Sequence, residues 1–190
     1  MARSFANGRK IADLDTYTDT GVNAIIETPM GGRAKFSYDE ATGLFKLRSI
    51  LPAGAVFPYN FGFLPSTLAE DGDPIDVLVL MDAVAGSGCL IPSRLIGVIE
   101  AEQTETDGRK ERNDRLLAVA EHCPSYGRLR SIEQLSSDLL DQVEYFFISY
   151  NKIRGKKFKP IGRFGAERAD KLVKQAQKNY EQKKKAAFPL

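Results

Sequence analysis

The sequence contains no tryptophan, only one histidine and only two cysteines among its 190 residues. Cys89 and Cys123 cannot provide a disulfide framework, and with His122 as the one histidine they lack the spacing of a zinc site. His122 and Cys123 are adjacent, but neighbouring residues seldom face one another as nucleophilic catalysis requires. The residue types that are scarce therefore argue against zinc and cysteine chemistry.

Long apolar segments are also missing. No stretch reaches the length of a membrane span, and the first 21 residues contain no hydrophobic segment of the kind found in signal peptides. We therefore expect a cytoplasmic location and no membrane partner. The length, with 43% apolar and 27% charged residues, is typical of one globular domain. We expect this domain to span residues 1–190, with an irregular N-terminal arm over residues 1–21.

Charge is distributed unevenly along the chain. Residues 1–150 contain 14 Lys or Arg and 22 Asp or Glu, whereas residues 151–190 contain 13 and 3. Such asymmetry can mark a nucleic-acid or membrane contact, or a basic wall facing an acidic pocket. Single-strand-binding modules also need aromatic stacking platforms, which are sparse in residues 151–190. We therefore expect no nucleic-acid partner, and we interpret residues 166–190 as a basic C-terminal helix and tail.

Short apolar segments separated by turn residues predict strands over the first two thirds of the chain. AKFSYD (34–39) and LFKLRSIL (44–51) flank a turn and predict a hairpin. The β-branched run IDVLVLM (75–81) predicts a strand that is buried on both faces. Further strands are expected in residues 22–29, 89–103 and 115–121, with a charged loop over 104–114.

Helical periodicity replaces this pattern near the C-terminus. Apolar residues recur every three or four positions from Leu135 to Tyr150, after a possible N-cap at Ser136 or Ser137. After a basic link over residues 151–163, a second helix has one apolar face, formed by Ala169, Leu172, Val173, Ala176 and Tyr180. Strands followed by helices predict an α+β fold with a mainly β core, as a small barrel or strongly curved sheet with helices outside.

The segment EDGDPID (70–76) places three aspartates before the buried strand. Asp-Gly and Asp-Pro favour turns, which accounts for Asp71 and Asp73. A turn does not account for Asp76, because aspartate is depleted in strands and rarely buried without a partner. The segment lacks the ligand pattern of an EF-hand, and carboxylates with few other ligand types favour Mg²⁺ or Mn²⁺. The residues alone leave a simple turn and a metal site as alternatives.

The same segment resembles a family signature. DGDPID (71–76), followed by VLVL, is similar to the Asp-x-Asp-Pro-aliphatic-Asp signature of soluble family I inorganic pyrophosphatases. The resemblance extends over about residues 20–165 and includes FPYNFGFLPSTL (57–68). It implies an OB-like five-stranded β-barrel with flanking α-helices and Mg²⁺-dependent hydrolysis of pyrophosphate, with Mn²⁺ as an alternative metal. It also implies a homo-oligomer.

The resemblance assigns roles to individual residues. Asp71, Asp73 and Asp76 are the metal cluster, and Asp73 also accepts the proton of the attacking water. Bound metal lowers the pKa of water from 15.7 towards about 7, and arginine binds phosphate oxygens bidentately. The expected substrate-binding residues are Glu27, Lys35, Arg48, Arg115, Tyr150 and Lys152. Taken singly, Lys35 and Lys152 fit a solvated surface equally well, whereas Arg48 lies in an apolar strand.

Several positions depart from the family pattern. Around the phosphate site, Phe61 replaces a tyrosine and Asn151 a lysine; Ser37 replaces a glutamate and Leu47 an aspartate. In a longer loop, Gln103 and Asn113 replace two aspartates, and Arg115 replaces a lysine.

These departures leave two questions open. An amide oxygen binds Mg²⁺ more weakly than a carboxylate. Either the second metal cluster is weakened, or the loop supplies a replacement from Glu102, Glu105, Asp107, Glu111 or Asp114. The alternatives to a pyrophosphatase are a related phosphoanhydride hydrolase with another small substrate and, less favoured, an OB-like nucleic-acid-binding module.

Overall fold

The computed structural model describes residues 10–187. The first nine residues of the expected N-terminal arm and the last three of the expected tail lie outside the described residues. The strands are β1 (Val22–Thr28), β2 (Ala34–Asp39), β3 (Leu44–Ile50), β4 (Asn60–Phe63), β5 (Asp76–Leu80), β6 (Leu90–Thr104), β7 (Lys110–Arg112), β8 (Arg115–Ala120) and β9 (Lys157–Gly165). The α-helices are α1 (Ser137–Ile153) and α2 (Ala166–Ala187).

Five of these strands close into a ring. β1 pairs antiparallel with β4, and β4 pairs antiparallel with β5. β5 runs parallel to β8, β8 is antiparallel to β6, and β6 returns to β1. This ring and the two helices confirm the expected α+β fold with a five-stranded, OB-like barrel.

The barrel interior is formed by the apolar runs that the sequence analysis identified. Val77, Leu78, Val79 and Leu80 of β5 are all fully buried, because the strand is covered on both faces. Gly62 of β4 lies opposite Ile26 of β1. A Cβ at this position would come within 1.8 Å of the Ile25 carbonyl oxygen, so only glycine allows the two strands to pair so closely.

Two segments predicted as connections contain strands. The charged loop over residues 104–114 includes β7, which pairs with the end of β6 across the expected turn at Gly108, where φ is +87°. The prediction of a basic link over residues 151–163 is wrong from Lys157 onward, since β9 pairs with β6. Lysine, proline and glycine do not favour strands. Hydrogen bonds to the long β6 override that preference.

The helices begin where the sequence predicts. The Ser136 side chain accepts a hydrogen bond from the Leu139 amide at 3.3 Å and caps α1. Ala169, Val173 and Ala176 bury one face of α2. Near the end of α2, the Tyr180 hydroxyl donates to Asp13 at 2.6 Å, so the helix is fastened to the N-terminal arm. Within residues 10–187, no helix combines the length and apolarity needed to cross a membrane.

Candidate functional site

Asp76 and Arg115 lie side by side at one end of the barrel. Each begins a strand, and the parallel strands β5 and β8 place Val77 opposite Leu116. Their first residues are therefore neighbours, and Asp76 pairs with Arg115 at 2.6 Å. Arg115 is buried, with its guanidinium carbon 4.8–5.9 Å from three ring centres, those of Phe61, Phe147 and Phe158. These cation–π contacts and the ion pair hold the guanidinium in place.

The turn before β5 carries the other two aspartates. Gly72 has a φ of +87°, which favours glycine, and the Asp73 amide donates to the Asp71 carboxylate at 3.2 Å. The Ala69 amide donates to the Asp73 carbonyl at 2.8 Å and closes the turn. The expected tight entry to the strand is thus present, and it brings both carboxylates into the electrostatic field of Asp76.

Glu27 and Lys35 face this cluster from β1 and β2. Glu27 lies at an irregularity in the β1–β4 register, where β-bulges often re-aim a side chain beside a functional site. Its carboxylate is buried, accepts from the Tyr38 amide at 2.7 Å and lies 3.9 Å from the Lys35 ammonium. Lys35 in turn lies 4.5 Å from the centre of the Phe61 ring.

The clustered charges shift one another's protonation. Burial, followed by repulsion from Asp76, raises the pKa of Asp71 to about 7. Burial raises the pKa of Glu27 to about 7, although Lys35 opposes the shift. The pKa of Asp76 is raised by burial against the opposing effect of Arg115, and burial lowers the pKa of Lys35. Burial, the main cause of the raised pKa values of Glu27, Asp71 and Asp76, disfavours their charged forms, and a cation bound beside them would favour those forms again.

Tyr150 reaches the same region from α1, with a partner that the sequence analysis missed. Its pKa is raised by burial, and the Arg154 guanidinium donates to its hydroxyl at 2.8 Å. Arg154 follows Tyr150 by four residues, and this spacing places two side chains on one helix face. The spacing is the signal in the sequence from which this contact could have been predicted. Lys152 instead lies exposed on the helix end, and no ion pair joins it to any residue in 10–187.

Arg48 lies on the hairpin that borders the site. The β2–β3 register pairs Lys35 with Ser49 and Phe36 with Leu47, so Arg48 is the extra residue of a bulge. It is exposed, and it makes no ion pair within the described part of the chain. A bulge of this kind can turn the extra side chain towards the face that carries Lys35 and Ser49.

Comparison with known proteins places the chain in a family. The family model described as inorganic pyrophosphatase matches residues 24–181. The chain belongs to the inorganic pyrophosphatase family. An inorganic pyrophosphatase from Synechocystis sp. is 35% identical over 84% of this chain and 91% of the relative, and one from Nanoarchaeum equitans is 37% identical over 84% and 97%. The crystal structure of the inorganic pyrophosphatase from Thermus thermophilus has a TM-score of 0.82 at 27% identity, covering 90% of this chain and 99% of that chain.

The amides that depart from the pyrophosphatase pattern make contacts within the fold. Gln103 is buried and donates to Glu105 at 2.5 Å, and Asn113 accepts from Arg115. Glu105 also pairs with Lys156 at 2.5 Å. The other loop carboxylates have local partners: Glu102 with Lys110, Asp107 with Arg109, Glu111 with Glu105, and Asp114 with Arg112.

Pyrophosphatases of this family are metal-dependent, and the donor set here suits a hard cation. Among residues 10–187, no three carboxylate, histidine or cysteine side chains converge closely enough to enclose an ion. Mg²⁺ does not require such a cage, because it usually retains several waters and binds through one or two carboxylates plus substrate phosphates. The carboxylate oxygens of Asp71, Asp73 and Asp76 therefore fit Mg²⁺ bound jointly by protein, water and substrate.

Proposed function

We propose that this protein hydrolyses inorganic pyrophosphate to two phosphates with Mg²⁺ as its metal and Mn²⁺ as an alternative. One observation carries the proposal: in a member of the pyrophosphatase family, the aspartate turn meets the Asp76–Arg115 pair at one end of the barrel. A phosphoanhydride needs both kinds of group, since carboxylates hold cations and cationic side chains hold phosphate oxygens.

The residues divide the chemistry between them. A bound divalent cation neutralises pyrophosphate charge and lowers the pKa of a water molecule. Asp71, Asp73 and Asp76 are the proposed ligands, and the exposed position of Asp73 in its turn suits it to accept the proton of the attacking water. In-line displacement then transfers one phosphoryl group to that water and expels the other phosphate.

Cationic and polar side chains receive the phosphates in this proposal. Lys35 and Arg115 flank the Phe61 ring, which holds both positive charges at the edge of the carboxylate cluster. Arg48 approaches from the hairpin, and Tyr150 contributes a hydroxyl. Glu27 supports Lys35 at 3.9 Å. Lys152 is the remaining proposed substrate-binding residue, although it forms no ion pair with any residue in 10–187 that would hold it towards the site.

Substitution of Asp73 tests the proposed function. We expect wild type to release phosphate from pyrophosphate only when Mg²⁺ or Mn²⁺ is present. Asp73→Asn should reduce kcat by about 10²–10⁴-fold, because general-base catalysis is lost. Asp19→Asn, at an exposed aspartate of the N-terminal arm, is the matched control and should retain wild-type turnover. Absence of phosphate release by wild type over a wide range of both metals would contradict the proposal.

A related phosphoanhydride hydrolase is the second candidate. A cavity of about 80 Å³ lies beside Tyr150 and Arg154, with mostly apolar walls that include Ile50, Leu51 and Phe146. These apolar walls could contact an apolar part of a substrate other than pyrophosphate. Rates of phosphate release from pyrophosphate, tripolyphosphate and nucleoside triphosphates distinguish the candidates, and a higher kcat/KM for a larger substrate would favour the second.

We also infer a single domain over residues 1–190, a cytoplasmic location and a homo-oligomer. The family match over residues 24–181 supports one domain. Exposed apolar side chains around the cavity support self-association, namely Ile50, Val56, Tyr145 and Ile153. Light scattering coupled to size-exclusion chromatography measures the assembly directly, and a monomer at micromolar concentration would contradict it.

A further inference from the structure

Arg154 lies at the C-terminal end of α1, one helical turn after Tyr150. Its guanidinium donates a 2.8 Å hydrogen bond to the Tyr150 hydroxyl, and its central carbon lies 5.2 Å from the Tyr150 ring centre. Together with Ser49 of the hairpin, the two side chains line the mouth of the cavity beside the site. Arg154 is therefore held at the border of the phosphate site by a neutral partner.

The charge of Arg154 acts on the residues of the site. Burial is the main reason that the pKa of Lys35 is lowered, and the positive charges of Arg115 and Arg154 lower it further. Arg154 also opposes the rise in the pKa of Tyr150 that burial causes. These effects place its guanidinium in the same electrostatic field as Lys35 and Arg115.

Arg154 and Arg115 differ in how much of each guanidinium is already engaged. Arg115 pairs with Asp76, donates to the Asn113 side chain, and donates to the Asp114 carbonyl at 3.0 Å. Arg154 has no carboxylate partner in residues 10–187. Since a guanidinium carries five N–H donors in a planar fork, most of the Arg154 donors remain free to bind an anion.

The neighbouring positions of α1 do not supply this charge. Asn151, directly after Tyr150, is buried, and its side chain donates to the Phe147 carbonyl within the helix at 2.9 Å. Lys152 and Arg154 are both exposed, but the Tyr150 hydroxyl holds the guanidinium of Arg154 at the site. We propose that Arg154 binds a phosphate group of the substrate and supplies the cation that this helix end otherwise lacks, an inference that rests on the proposed pyrophosphatase function.

Kinetics of matched variants test the role of Arg154. With Mg²⁺ present, we expect Arg154→Gln to raise the KM for pyrophosphate about ten- to a hundredfold, because a charged hydrogen bond to phosphate is lost. Binding of the slowly hydrolysed analogue imidodiphosphate, measured by calorimetry, should weaken by a similar factor. Arg154→Lys keeps the positive charge without the planar set of guanidinium donors, and it should lose less affinity than Arg154→Gln. Arg128→Gln, at an exposed arginine in the loop after β8, is the control and should match wild type.

Each outcome decides the proposal. Unchanged KM and imidodiphosphate affinity in Arg154→Gln would overturn it, as would an equal change in Arg128→Gln. A purely structural role through Tyr150 would lower the melting temperature and leave the affinity of the folded variant unchanged, which also counts against it. If Arg154→Gln does not fold, Arg154→Lys decides by the same affinity measurement. If wild type releases no phosphate, the proposed function fails, and imidodiphosphate binding alone decides the role of Arg154.

Discussion

At the scale of one residue, the buried carboxyl group of Glu27 lowers the free energy of unfolding once it ionises. Burial raises its pKa from 4.5 to about 7, so ionisation is less favourable in the folded protein than in the unfolded chain. Its contribution to stability is therefore fully present below about pH 4.5 and is lost as the pH rises through 7. A buried carboxylate of this kind is typical of a functional site rather than of a structural core.

Replacing Glu27 should therefore stabilise the protein at high pH. We expect Glu27→Gln to raise the free energy of unfolding on the order of 2 kcal/mol at pH 8, with the difference vanishing towards pH 4.5. The amide oxygen can still accept from the Tyr38 backbone, so the local structure is retained. Urea denaturation at several pH values measures the effect, with exposed Glu133→Gln as control. A Glu27→Gln variant that is less stable at pH 8 would contradict this account.

Phe61 is the second residue whose role can be tested singly. Its ring lies under Lys35 at 4.5 Å and near Arg115 at 5.9 Å, so it positions two cations at once. We expect Phe61→Leu to raise the KM for pyrophosphate several-fold, since each cation–π contact contributes about 0.5–2 kcal/mol. Phe63→Leu, on the same strand but with no cation from residues 10–187 over its ring, controls for lost packing. An equal KM change in both variants would argue against a specific role for Phe61.

The hairpin formed by β6 and β7 shows what local sequence misses at the scale of an element. Its residues are charged and include a turn, which predicts a solvated loop. The structure instead pairs β7 with β6 and joins Glu105 to Lys156, just before β9. The residues of β7 are too polar to show the apolar alternation of a strand. Glu105 and Lys156 are distant in the sequence, so no local pattern indicates their contact. For the same reason the sequence did not predict β9, whose residues include lysines, proline and glycine.

The pairing of Glu105 with Lys156 predicts how this element is stabilised. Without Lys156, Glu105 loses its ion pair, and Arg109 is the remaining cation that acts on both Glu105 and Glu111. We expect Lys156→Gln to lower the free energy of unfolding by about 1–3 kcal/mol, because a charged hydrogen bond is lost from a partly buried position. Lys157→Gln, at the exposed neighbouring lysine, should change stability little. Equal stabilities in thermal denaturation of the two variants would refute the prediction.

The whole molecule explains the charge asymmetry of the sequence. Basic residues of the C-terminal segment pair with acidic residues elsewhere in the chain: Lys156 with Glu105, Arg163 with Asp141 and Glu144, Arg168 with Glu100, and Lys184 with Asp13. The excess of positive charge after residue 150 therefore compensates an excess of negative charge before it. These pairs engage four of the 13 basic residues of the segment.

A binding titration tests this interpretation of the C-terminal segment. We expect no salt-dependent binding of single-stranded oligonucleotides at micromolar protein concentration, because the segment has few aromatic side chains on which bases could stack. Fluorescence anisotropy at 50 and 200 mM salt is a suitable measurement. An affinity that falls steeply with salt would instead support the nucleic-acid-binding alternative.

The sequence by itself determined the elements that depend on local pattern. The aspartate turn, the buried strand after it, the hairpin from Ala34 to Ile50 and both helices follow from turn residues and from periods of two and 3.6. The signature in residues 71–76 also identified the family. These features can be recognised in the sequence because each is encoded by turn residues or by an apolar period within one short segment.

Only the tertiary structure decided which side chains share the site. The parallel pairing of β5 with β8 brings Asp76 against Arg115, although 39 positions separate them in the chain. The packing of α1 brings Tyr150 and Arg154 together with Ser49 of the hairpin. Closure of the barrel requires Gly62 where β4 meets β1. These features depend on contacts between distant segments, and no local period or turn signal encodes them.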